Sequence, residues 1–181
     1  MMKKLCFTLF LSFLSQNSFA DEYAISLSEA QRLPPFCLGL SIGNFQDNAK
    51  HLKRNIKLPG EHTHHFCHGM KKMLREDYKG AVGSFEYVQV HSSNKNIMLP
   101  ANSLYKAEAL GKLGKVQPAL EEYNKAINLK KNYSHAYYKL AKYYMKLKQE
   151  KDAIETIKLG LKYSPNSTLL KKQLNKIKGK R

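Results

Sequence analysis

Residues 62–69 read HTHHFCHG, so four histidines and a cysteine fall within eight positions. Imidazole and thiolate are the preferred ligands of zinc and copper, and metal chemistry is the first possibility the stretch raises. On a helix His64 and His68 stand four residues apart and share a side, with Cys67 three residues beyond His64. Cys67 would ligate only as a free thiolate. Two imidazoles on one face need a further ligand from another element. His51, His91 or a carboxylate could supply it, and nothing in the spacing selects one. The structural alternative has His65 packed in the core, His62 and His64 capping the helix start or meeting water, and His68 packed beside Gly69. The residues favour this second reading. No metal is therefore assigned, and His64, His68 and Cys67 stand as the candidates if one binds.

The specific metal, haem and nucleotide patterns are missing. There is no H-E-x-x-H, because the glutamate of EHTHH lies outside the histidine pair, and no C-x-x-C-H for haem. G-x-x-x-x-G-K-[ST] and paired C-x-x-C motifs are also absent, and the G-x-S-x-G string GLSIG (39–43) is by itself a weak signal. The expectation is a chain that is not an enzyme, with no catalytic residue and no cofactor.

The chain begins MMKKLCFTLFLSFLSQNSFADEYA. Lys3 and Lys4 precede an apolar run from Leu5 to Leu14, and Ser18-Phe19-Ala20 supplies the small-x-small pattern of a cleavage site. Ten residues rise roughly 15 Å as a helix, half of a bilayer core. The reading is a signal peptide over 1–20, cleaved after Ala20, and a periplasmic or secreted product with no later membrane-spanning segment. Cleavage would lower the formal charge from +17 to +15. Of 31 basic residues only four are arginine, whose planar fork is the usual reader of bases and phosphates, so nucleic acid is not expected as a partner. The lysines suit a solvated surface or an anionic partner. Export also decides the cysteines. Cys6 leaves with the signal, and the remaining pair, Cys37 and Cys67, is expected to bridge in an oxidising compartment. Closing that loop is worth roughly 3–4 kcal/mol in the chain-entropy account.

The elements that must position these residues are legible in the C-terminal half. ANSLYKAEALGKLGKVQPALEEYNKAINLKKNYS (101–134) and HAYYKLAKYYMKLKQEKDAIETIKLGLKYSPNST (135–168) repeat with a period of 34. Ala107 recurs as Ala141, Leu113 as Leu147, Ala119 as Ala153, Leu120 as Ile154 and Ala126 as Gly160. Each unit reads as two amphipathic helices: Tyr137, Leu140, Ala141, Tyr144 and Leu147 form one stripe, and Ala153, Ile154, Ile157 and Leu161 another. Pro118 suits a first helical turn, and Pro165 cannot continue the helix before it. The segment YKGAVGSFEYV (78–88) matches the second helix of such a pair and places Gly69 in the position of Ala107 and Ala141, with His65 in that of Tyr137. A divergent unit over 62–95 follows. STLLKKQLNKIKGKR supplies a helix with one wet side over 167–178, 21–40 reads as short helices broken at Pro34-Pro35, and 41–60 as mostly loop.

These units resemble the tetratricopeptide repeat, with Tyr137 in that family's tryptophan place and Pro165 as its closing proline; the upstream unit departs with Lys131 there. The resemblance implies an all-α fold: a short right-handed solenoid of about three helix–turn–helix units over 61–181, an N-terminal cap over 21–60 and a C-terminal capping helix. LPPFC (33–37) and HHFCHGM (64–70) are also similar to motifs of a group of exported bacterial tetratricopeptide proteins, which implies a periplasmic location and no particular activity. In this fold the first helices line a groove for a protein or peptide. By register that groove would present Phe66, Met70 and Met73, then Tyr105, Glu108 and Lys112, then Tyr138, Lys142, Met145 and Lys146. Tyrosines interleaved with lysines suit an extended partner with acidic and apolar side chains. The Asn-and-Lys arrangement with which chaperone-binding members clamp a C-terminal carboxylate is not present. A second possibility is docking on an anionic envelope surface through Lys171, Lys172, Lys176, Lys178, Lys180 and Arg181.

Overall fold

A computed structural model of the chain describes residues 24–39, 45–53, 57 and 59–179. The expected signal segment, Cys6 and the last two residues lie outside this range. Every long element is a helix, and among the described residues the sole strand-like contact is an isolated parallel bridge between Ile25 and Phe45. No described helix is long and apolar enough to cross a membrane.

Three antiparallel helix pairs follow one another: α2 (Thr63–Leu74) with α3 (Tyr78–His91), α4 (Leu99–Lys112) with α5 (Val116–Leu129), and α6 (Ser134–Lys146) with α7 (Glu150–Tyr163). α8 (Thr168–Lys178) closes the stack. The turn inside each pair is built identically. Glu76, Gly114 and Lys148 occupy the same register with φ of 60°, 74° and 62°. In each, the amide of the next residue donates to a carbonyl five back: Asp77 to Lys72, Lys115 to Leu110 and Gln149 to Tyr144, at 2.9–3.0 Å. This left-handed stop satisfies the carbonyls that a helix end leaves open.

Small residues let the helices of a pair approach. Ala81, Ala107, Ala119, Ala126, Ala141 and Ala153 are fully buried. At Gly69 a Cβ would stand 2.5 Å from the Phe85 ring, so α2 meets α3 at a distance that only glycine allows. The third pair fills the corresponding core with Tyr137, whose hydroxyl donates to the Lys131 carbonyl at 2.9 Å. The second pair carries Ser103 and Lys106 where the third has Tyr137 and Leu140, and the joint between first and second pairs is accordingly polar. Lys106, 9% exposed, meets Glu122 at 3.2 Å and donates to Gln89 at 2.8 Å; Gln89 in turn donates to Glu122 and Ser103. A buried ammonium is tolerable only with such a complete set of acceptors.

The N-terminal residues form a strap on α2. It comprises α1 (Leu27–Arg32) and a 3₁₀ turn, Pro35–Leu38. α1 starts with a reciprocal capping box, in which the Glu29 amide donates to Ser26 Oγ and the Ser26 amide to the Glu29 carboxylate. The 41–60 stretch, expected as mostly loop, holds a second 3₁₀ helix at Asp47–Leu52, whose Ala49 is fully buried against the strap's core.

Candidate functional site: a basic groove closed at one end

Three fastenings hold the strap. Cys37 is bonded to Cys67 of α2, with Cα atoms 5.4 Å apart. The Phe36 ring lies 6.1 Å from that of Phe66. Arg75, at the end of α2, pairs with Glu29 and donates to the Ala24 carbonyl at 2.8 Å. Phe66, expected to line the groove, is therefore buried among Phe36, Phe85 and Tyr105, and Met70 is buried with it. Register expected both on the groove side of α2, and the strap packs against them there. Met73 is partly buried against the same core. The Tyr105 ring packs on Phe66 at 5.7 Å, and burial, with the Glu108 carboxylate nearby, pushes its hydroxyl above the usual phenol range.

From α4 onward the groove is open. Between α4 and α6 lies a cavity of about 340 Å³, lined by Glu108, Gly111, Lys112, Tyr123, Lys139, Lys142, Tyr143 and Lys146. Its one carboxylate is held by Lys139 at 2.6 Å. Lys112 and Lys142 rest over the rings of Tyr78 and Tyr138, at 5.7 and 5.6 Å. Among the described residues no carboxylate stands within ion-pair distance of Lys112, Lys142 or Lys146. Three cations thus converge on one hollow and one anion is already neutralised. A second cavity of about 200 Å³ lies between α6 and α8, lined by Tyr138, Lys142, Met145, Gln173, Lys176 and Ile177. Lys142 belongs to both. The structure thus brings Glu108, Lys112, Tyr138, Lys142, Met145 and Lys146 together and sets Phe66 and Met70 aside. The sequence reading did not place Lys139, Tyr123, Tyr143, Gln173 or Ile177 in the groove, and named Lys176 only for surface docking. Lys139 sits one position off the Tyr138–Lys142–Lys146 step, and the two tyrosines carry core spacing rather than a surface signal.

The histidines form a separate patch of stacked rings on the α2–α3 pair. His65 lies 3.8 Å from Tyr87, Tyr87 lies 3.9 Å from His91, and His62 stands within about 6 Å of His64, His65 and His91. His65, expected in the core, is only half-buried, because Tyr87 offers it a face at the edge of the pair. His62 precedes the first residue of α2 in a left-handed conformation, φ 51°, and its side chain caps nothing. The start is held by Thr63, which donates to the carbonyls of Pro59 and Gly60. Desolvation and then the Lys71 charge push His68 down to about 4, and desolvation with neighbouring imidazoles lowers His65. Cys67 spends its sulfur on the disulfide, which removes it from the candidate ligands His64, His68 and Cys67. Among the described residues no three His, Cys, Asp or Glu side chains converge as a metal ion requires.

Comparison with known proteins agrees with this geometry. Residues 106–133 and 134–167 match the sequence model of the tetratricopeptide repeat. The Sgt2 TPR domain from Aspergillus fumigatus is 21% identical, with a TM-score of 0.56, over 66% of this chain and 78% of that one. MamA is 20% identical, with a TM-score of 0.53, over 67% and 70%. The TPR2B domain of yeast Sti1, solved as a complex with pHsp70, is 20% identical, with a TM-score of 0.54, over 66% and 98%. No curated protein matches the sequence. The chain folds as an all-α solenoid of helix pairs like that of tetratricopeptide-repeat domains. Its second and third pairs are recognised by the family's sequence model, and its first pair, α2–α3, is recognised by its fold alone.

Proposed function

We propose that the chain is an exported, non-catalytic interaction module that holds an acidic, partly apolar segment of another protein along α4, α6 and α8. The observation that carries this is the hollow between α4 and α6, where Lys112, Lys142 and Lys146 converge beside tyrosines and, among the described residues, pair with no carboxylate. Lysine charge there speeds encounter and selects sign, while Tyr138, Met145 and Ile177 supply apolar area. Tetratricopeptide repeats are protein–protein interaction modules, and the Sti1 domain of similar fold was solved as a complex with pHsp70. Export rests on the leader-like residues 1–20, and a Cys37–Cys67 bridge is at home in an oxidising compartment. Crosslinking capture from the periplasm of the source cell, comparing wild type with Tyr138→Ala/Lys142→Glu, tests it. The variant should lose the specific partner, and equal recovery by both overturns the groove.

A second reading has one supporting observation: Lys171, Lys172, Lys176 and Lys178 are all exposed on α8. They would dock the protein on an anionic envelope surface. Co-sedimentation with anionic vesicles should then collapse as salt rises from ~0.05 to ~0.3 M, since exposed charges are screened beyond a Debye length. A groove with apolar anchors would lose only part of its affinity.

A further inference from the structure

The groove-facing row of α2 is Phe66, Cys67, Met70, Met73 and Leu74, and its counterparts on α6, 72 residues on, are Tyr138, Lys139, Lys142, Met145 and Lys146. The first row is occupied by the chain itself. Cys67 is bonded to the strap, Phe36 lies against Phe66, and Met73 and Leu74 pack on the same core as Leu38. The second row is open, and its cavities share Lys142. Comparing the rows shows what has been kept and what has been exchanged. An aromatic ring stands at the first position of each, Phe66 and Tyr138, and a methionine at the fourth, Met73 and Met145. At the other three, Cys67, Met70 and Leu74 become Lys139, Lys142 and Lys146.

We propose, building on the groove reading above, that the strap is an internal image of the partner. The open row takes a flexible segment of another protein that lays an aromatic side chain on Tyr138, where Phe36 lies on Phe66. The same segment sets carboxylates beside Lys142 and Lys146, where the strap meets apolar side chains. Two facts fix this chemistry. The ring of Tyr138, with Met145 and Ile177, gives an apolar side to a cavity of about 200 Å³ whose other side is Lys142, Gln173 and Lys176, next to the lysine-lined hollow. Aromatic pairs gain from offset or edge contacts beyond the area they bury, which rewards an aromatic residue there over an aliphatic one. The lysines that replace Met70 and Leu74 have no carboxylate partner among the described residues, so the negative charge must come with the occupant. Lys139 is already paired with Glu108, and so the segment's carboxylates fall beyond it, toward Lys142 and Lys146.

The test uses the whole chain and a labelled peptide of about eight residues with one phenylalanine flanked by glutamates, titrated by fluorescence anisotropy. Changing its phenylalanine to alanine should weaken binding to wild type about tenfold, the worth of one buried aromatic contact. The same change should matter less than about twofold for Tyr138→Ala, while Tyr138→Phe keeps the full preference. Glutamine in place of the glutamates, or Lys142→Glu in the protein, should abolish binding. If the alanine peptide binds wild type as well as the phenylalanine peptide while Lys142→Glu still abolishes binding, the internal-image inference falls and the acidic groove stands. If neither peptide binds wild type, both fall.

Discussion

Lys148 holds φ at 62° and Glu76 at 60°, in a register where Gly114 does the same without a Cβ. A side chain in this left-handed region costs about 1–2 kcal/mol, partly offset because glycine loses more freedom on folding. Lys148→Gly should therefore stabilise the protein by up to about 1 kcal/mol, read as a rise in thermal midpoint of a few degrees. An unchanged or lower midpoint would show that Lys148 has a compensating contact. Lys106 presents the opposite case, a charge whose partners make it tolerable. Lys106→Met strands Glu122, 13% exposed in its side chain, and should cost about 2–4 kcal/mol in urea unfolding. Lys106→Met/Glu122→Leu should be more stable than the single variant, because it removes both buried charges together.

At the scale of elements, the strap's grip on α2 divides into a covalent part and the Phe36–Phe66 and Arg75–Glu29 contacts. Cys37→Ser/Cys67→Ser removes a cross-link between positions 30 residues apart and should cost about 3–4 kcal/mol. A loss below about 1 kcal/mol would mean that the noncovalent contacts alone hold the strap. What could be read in advance follows from the range of each interaction. The helix pairs were legible because spacing and small residues such as Ala107, Ala119, Ala141 and Ala153 are encoded within a single unit. The burial of Phe66 and Met70 was not legible, because register tells which side of a helix a residue faces and not what lies there. What lies there is fixed by contacts such as Arg75 to Glu29, 46 residues apart. The 3₁₀ helix at Asp47–Leu52 is six residues long, too short for periodicity to show. Lys139 enters the site through its reach across to Glu108, which no spacing on α6 announces.

The whole molecule should lose stability in mild acid. His68 has a folded-state value of about 4 against about 6.5 unfolded, so between these values the unfolded chain binds the extra proton. Its contribution is intact above about pH 6.5, falls as pH drops and is gone below about 4; it is on the order of 1 kcal/mol once solvent screening is allowed for. His65 and His135 are shifted the same way by desolvation and add to the trend. Comparing unfolding midpoints at pH 7.5 and about 5 for wild type and His68→Asn checks this. The variant should show the shallower decline, and parallel declines would locate the acid sensitivity elsewhere. The strap has its own consequence at this scale. A segment tethered to its own wall competes at an effective concentration of about millimolar or more, which a free peptide in a cell does not reach. The trough is thus a socket with a stopper moulded into its amino-terminal end. On the groove reading, a guest is left only the stretch along α4, α6 and α8, which calls for a short insert rather than a long strand.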